Sequence, residues 1–133
     1  MKFTKKAALN TLIIILLLVT FFHASVLIGF LPYEMVWGGK IKNAQEMKVF
    51  ETISIIVNLF LISTLFFKGD YLKHEIKPKI IDTVIWIFAG IFVLNTLLNL
   101  FSENEFEKYV FTPIAFISAI LCFKILKKEN FDK

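Results

Sequence analysis

Four stretches of this 133-residue chain are each long and apolar enough to cross about 30 Å of hydrocarbon, which takes about 20 residues as a helix. They fall at about 7–31, 47–67, 79–101 and 107–126. Little chain is left between them. Lipid supplies no water to hydrogen-bond a backbone, so a spanning segment must be a helix or part of a closed barrel. The expected architecture is therefore all-α: one integral membrane domain over 1–133, a four-helix transmembrane bundle. Composition excludes the alternative. At 57% apolar residues and a mean hydropathy of +0.72, the chain lies well above the roughly 45–50% of soluble domains.

The first run invites comparison with a secretory signal, because Lys2, Lys5 and Lys6 precede a Leu/Ile core. It exceeds the usual hydrophobic region of about 7–15 residues. An exit near Ala24-Ser25 would also put His23 where a small side chain is needed. An uncleaved first span is expected.

Every one of the fifteen basic residues is lysine. Without arginine there is no bidentate phosphate fork, so the net charge of +4 speaks for orientation and against nucleic acid. Eleven lysines (2, 5, 6, 68, 73, 77, 79, 124, 127, 128 and 133) flank one side of the spans, and four (40, 42, 48 and 108) flank the other. The positive-inside rule then places both termini in the cytoplasm of a multi-pass protein of the bacterial inner membrane. Cys122 stands alone, which leaves no disulfide framework and no thiol pair.

Local signals set the ends of the spans. Leu31-Pro32 ends the first, since proline disfavours helix before it, and Gly38-Gly39 tolerates a tight turn. Asn43 with Glu46 reads as a capping box that starts the second helix near Ala44. Gly69 reads as a left-handed cap at its end. Pro78 suits the first turn of the third helix, and Ser102 with Glu105 reads as a further capping box. Pro113 is too far along for a start, because about 14 residues would cover only ~21 Å. An earlier start with a kink at Pro113 is expected.

Polar residues within the spans are costly in lipid and turn inward. Counted at ~1.5 Å per residue, Asn58 lies near the membrane centre. His23 and Asn95 lie about 6 Å outward, and Glu51 and Asn99 about 10–12 Å outward. The inner half offers little beyond Asp82, at the cytoplasmic boundary, where a helix N-terminus favours an acid. Glu51, Ser54 and Asn58 share one helix face at i, i+3 and i+7, and Asn95 and Asn99 share another at i, i+4. Convergence with His23 would form a polar pocket in the outer half of the bundle, with His23, Glu51, Ser54, Asn58, Asn95 and Asn99 as candidate ligand-binding residues. The competing reading is structural: Asn and Ser as interhelical glue at about 0.6 kcal/mol each, Glu51 snorkelling to the interface, and His23 as a neutral hydrogen-bonded ring.

Above that pocket lies the loop "LPYEMVWGGK". Tyr33 and Trp37 suit headgroup depth, and with Glu34, Gly38, Gly39 and Lys40 they form a candidate outer cap. The stretch "YEMVWGGK" followed by "VFE" resembles a loop of small four-span bacterial membrane proteins of uncharacterised function that carry a Trp-Gly-Gly-basic turn. That resemblance implies the four-span fold, and it brings no activity, cofactor or catalytic residue.

Gly-rich phosphate loops, HExxH and ordered Ser/His/Asp motifs are missing from the sequence, and His23 with Glu51 alone supply too few ligands for a metal. No cofactor is expected, and enzyme activity is not favoured. The leading reading is a membrane protein that binds lipid, a partner membrane protein or further copies of itself. A lipid-active enzyme or small-ligand binder using His23 and Glu51 as a proton-exchanging pair is the alternative. An oligomeric proton-coupled transporter or pore subunit ranks third, because a path needs polar groups in both leaflets.

Overall fold

A computed structural model describes residues 4–32 and 42–127. Four helices follow one another: α1 (Lys5–Leu27), α2 (Ala44–Lys68), α3 (Pro78–Leu100) and α4 (Thr112–Leu126), the last entered through a π-helical turn, Glu107–Phe111. All four, counting α4 from Glu107, are long and apolar enough to span a membrane. The candidate cap residues Tyr33, Glu34, Trp37, Gly38, Gly39 and Lys40 lie outside the described residues.

Neighbouring helices run antiparallel in a ring. At one end, here the terminal end, the Tyr71 hydroxyl donates to Asn10 Oδ1 beside the start of α1. Lys68 at the end of α2 pairs with Asp82 at the start of α3 at 2.6 Å, and Trp86 meets Phe123 edge-on. At the opposite, loop end, Phe22 of α1 stacks on Phe106 and meets Phe111 edge-on. Around the ring α3 packs most closely on α4, and α1 bridges α2 and α4. The main apolar core, with Leu12, Leu16, Leu61, Leu65, Ile85 and Ile125 fully buried, fills the terminal half. A smaller cluster of Val26 and Met47, backed by Phe22, Leu31 and Phe111, closes the loop end. Outward faces carry Ile14, Leu18, Phe21, Ile56, Phe60, Ile87, Leu94 and Phe116, so the helices are apolar on their outer as well as their inner faces.

The helix ends follow from specific side chains and differ from expectation in four places. Helix α1 stops at Leu27, ahead of Leu31-Pro32, because Gly29 adopts φ +84°. The Gly29 and Phe30 amides then donate to Val26 and Ser25 carbonyls, which is a Schellman closure. Helix α2 closes the same way, but its left-handed residue is Asp70 (φ 59°), not Gly69. The Asp70 and Tyr71 amides reach Phe67 and Phe66, and the Tyr71 ring packs on Phe66. Gly69 is needed for closeness: a Cβ there would lie 2.4 Å from Leu9 Cδ2 of α1.

The third difference concerns the expected Ser102–Glu105 box. Asn104 Oδ1 caps this helix instead, accepting the Phe106 and Glu107 amides, while the Ser102 hydroxyl donates to Glu107. The fourth is Asp82, whose carboxylate holds the Lys68 ammonium as well as sitting in the first turns of α3. By contrast Asn43 caps α2 through the Glu46 amide as its sequence suggests, and Glu46 reaches back to the amide of Lys42. Proline 78 occupies the first turn of α3. Pro113 is passed by an earlier start at Glu105. The π turn lets the Thr112 amide donate to the Glu107 carbonyl, five residues back. An α turn here would press the Pro113 ring against the carbonyl four residues before it.

Candidate functional site

Where α1 ends and α2 begins, His23 and Glu51 face each other. The imidazole Nδ1 is hydrogen-bonded to Glu51 Oε2. The carboxylate is fully buried, and the ring is 15% exposed. Two facts of the fold produce the meeting. Antiparallel packing brings the last turns of α1 against the first turns of α2. The early stop of α1 also shifts the midpoint of that helix to Leu16, which puts His23 ~10 Å from it, with Glu51 ~8 Å from the α2 midpoint. The register expected from a span ending at Leu31 had separated the two levels by about 5 Å.

The other candidates are arranged differently. Ser54, Asn58 and Asn99 are half-buried, and Asn95 is exposed on α3. Among the described residues none of these four side chains bonds to His23 or Glu51. Of the six candidates, His23 and Glu51 are joined directly, with Ser54 and Asn58 on α2 and Asn95 and Asn99 on α3 as separate polar positions. Two surface hollows, of about 560 Å³ beside Asp70, His74 and Glu75 and about 320 Å³ beside Asn43, Glu46 and Phe50, touch neither His23 nor Glu51.

Sequence reasoning missed three further buried polar groups toward the loop end. Glu107 is a second buried acid, held by the Ser102 hydroxyl at 2.9 Å. Of the three acids in "SENEFEK", only the phase set by the π turn decides which one faces inward. The other two are Thr20 and Thr112, whose hydroxyls are buried without a hydrogen-bond partner. Helical Ser and Thr in this protein ordinarily donate to the carbonyl four residues back, as Ser25, Ser63, Thr64, Thr83, Thr96 and Ser118 do. Thr112 follows directly on the π turn, where the backbone register is five residues instead of four. No comparable account covers Thr20. A buried unpaired hydroxyl costs about 1–3 kcal/mol, so these two leave polar demand unmet.

Along α1 and α2 the His23–Glu51 pair lies between two apolar clusters: the main core on the terminal side, and Val26 with Met47 on the loop side. Among the described residues no three His, Cys, Asp or Glu side chains are grouped to hold a metal ion. Chemically the pair offers an imidazole oriented by a carboxylate. The chain matches no protein-family model, no curated protein and no solved structure.

Proposed function

We propose that this is a four-span membrane protein with both termini in the cytoplasm, whose outer half binds a membrane lipid or a partner membrane protein through the site built on His23 and Glu51. One observation carries the reading: a fully buried carboxylate paired with an imidazole, in the half of the bundle away from the chain termini. Burying a charge is expensive unless it is paired, and in a membrane span such a group marks function by default. Orientation rests on lysine. Among the described residues, eight lysines (5, 6, 68, 73, 77, 79, 124 and 127) lie at the terminal end and three (42, 48 and 108) at the loop end, which under the positive-inside rule makes the loop end the outer one. Binding is favoured over transport because the terminal half is filled by an apolar core, and the buried Thr64 and Ser118 hydroxyls are turned back onto carbonyls of their own helices.

A second reading has a specific observation behind it. A carboxylate on Nδ1 is the arrangement that orients an imidazole as a general base, which suits a lipid-active enzyme. Native mass spectrometry of the protein released from nanodiscs tests both. Binding predicts a lipid or protein adduct on the wild type that Glu51→Gln weakens while the helical content is unchanged. Catalysis predicts chemical turnover of the nanodisc lipid that Glu51→Gln slows. An adduct insensitive to Glu51→Gln, with no turnover, would leave the pair a structural tie.

A further inference from the structure

One face of α3 is left uncovered among the described residues. Ile87, Gly90, Ile91, Leu94, Asn95 and Leu98 recur at i, i+3, i+4, i+7, i+8 and i+11, which puts them on a single helix face, and all six are exposed. Four of them are large apolar side chains, as expected on the outside of a span. Gly90 and Asn95 break the pattern. A Cβ on Gly90 would meet no atom within 4 Å, so nothing inside the bundle requires a glycine there, although glycine weakens a helix relative to alanine. The Asn95 carboxamide makes no hydrogen bond among the described residues. Two residues without a purpose inside the chain thus share one exposed face.

Depth narrows what can cover them. With α3 spanning the membrane, Asn95 lies ~9 Å from the helix midpoint at Ala89, or about 6 Å inside the edge of a hydrocarbon half-layer ~15 Å thick. Its side chain is too short to reach the headgroups from there. Acyl chains neither donate nor accept, and an amide without partners in hydrocarbon is costly. Another membrane helix can satisfy it. A carboxamide carries donors and an acceptor together, so a second carboxamide answers both needs at once. A second copy of this chain brings one to the same depth automatically. Copies inserted in the same orientation are related by a two-fold axis along the membrane normal, and each residue of α3 then meets its own counterpart.

We propose that two copies of the chain associate side by side through this face of α3. Each Asn95 donates an N–H to the other's Oδ1, and Gly90, just over one turn away, lets the two backbones approach as small residues do between membrane helices. The dimer rests on the four helices spanning a membrane. It is independent of what the His23–Glu51 site binds, because that site joins α1 to α2.

The test uses the full chain, dye-labelled at its amino terminus, in liposomes over a series of protein-to-lipid ratios, with subunits counted by single-molecule photobleaching. The wild type should pass from monomer to dimer as the ratio rises. Asn95→Leu should weaken the dimer roughly three- to thirtyfold, the worth of one or two interhelical hydrogen bonds. Asn95→Gln keeps the donors and the acceptor and should restore most of that loss. Gly90→Leu should weaken the dimer by blocking close approach. Both positions are exposed, so helical content and thermal unfolding in detergent should match the wild type. Cross-linking locates the face. Under copper phenanthroline, Ile91→Cys and Leu98→Cys should each form a disulfide between chains, whereas Phe116→Cys, exposed on α4, should not. Native Cys122 is buried, so the wild type serves as the blank.

A wild type that stays monomeric at the highest protein-to-lipid ratio overturns the proposal. So does a dimer that Asn95→Leu or Gly90→Leu leaves as strong as the wild type, or one that cross-links through Phe116→Cys and not through α3. Glu51→Gln should leave the dimer intact. A monomeric wild type that still retains a lipid adduct dependent on Glu51 keeps the binding reading and removes the dimer. A dimer dependent on Asn95, with no adduct dependent on Glu51, does the reverse.

Discussion

Removing the Glu51 carboxylate alone leaves His23 beside a cavity, whereas removing both polar groups leaves an apolar contact. Breaking a buried pair from one side costs about 3–5 kcal/mol, and replacing the whole pair by hydrophobic residues is often neutral. Glu51→Ala should therefore lower unfolding stability in detergent by about that amount, and His23→Leu with Glu51→Met should recover most of it; equal losses in the two variants would deny the coupling. Gly69→Ala tests a different contact. Its new Cβ must displace Leu9, 2.4 Å away, at about 1–3 kcal/mol, and Leu9→Ala in the same chain should return part of that loss. These two sites differ in how far the sequence reveals them. Glu51 and His23 are legible because charge and imidazole are rare in apolar runs, although counting from a span that ends at Leu31 sets them at different levels. The role of Gly69 is not, because a glycine after a lysine reads equally as a turn, and the neighbour that forbids a side chain lies sixty residues away in sequence. Thr20 and Thr112 are illegible for another reason: a helical threonine ordinarily satisfies its own hydroxyl, and nothing local announces the exception.

At the scale of the element, the entry to α4 shows where pattern reading stops. The four apolar helices and the Asn43 and Pro78 starts are all visible as local signals, since each needs only one turn of backbone. The residues from Ser102 to Glu107 contain several legal caps, and the choice among them depends on the backbone register that Pro113 imposes downstream. Asn104→Ala removes the acceptor of the Phe106 and Glu107 amides. It should cost about 0.5–2 kcal/mol and speed hydrogen exchange at those two positions. Glu105→Ala, the change at the cap expected from sequence, should leave both amides as protected as before. Equal exchange in the two variants would deny Asn104 the capping role.

At the scale of the whole molecule, the antiparallel ring puts the described ends, Thr4 and Lys127, at the same end of the bundle. Reporter fusions after Gly39 and after Asn104 should read as external, and a fusion after Lys73 as cytoplasmic. A cytoplasmic signal at either of the first two positions would reverse the proposed orientation, and with it the assignment of the His23–Glu51 pair to the outer leaflet. The ring itself follows from short connections between long apolar helices. Which end is outside is written in the lysines, and the fold adds only that those lysines segregate by end.

A π turn contains one residue more than an α turn needs. Deleting Lys108 or Tyr109 would remove that extra residue and turn everything before the deletion by roughly 100° relative to α4. Phe106 would leave its stack on Phe22, and Glu107 would leave its inward position. The fourth helix is accordingly intolerant of a one-residue length change at a place where its surface chemistry looks permissive.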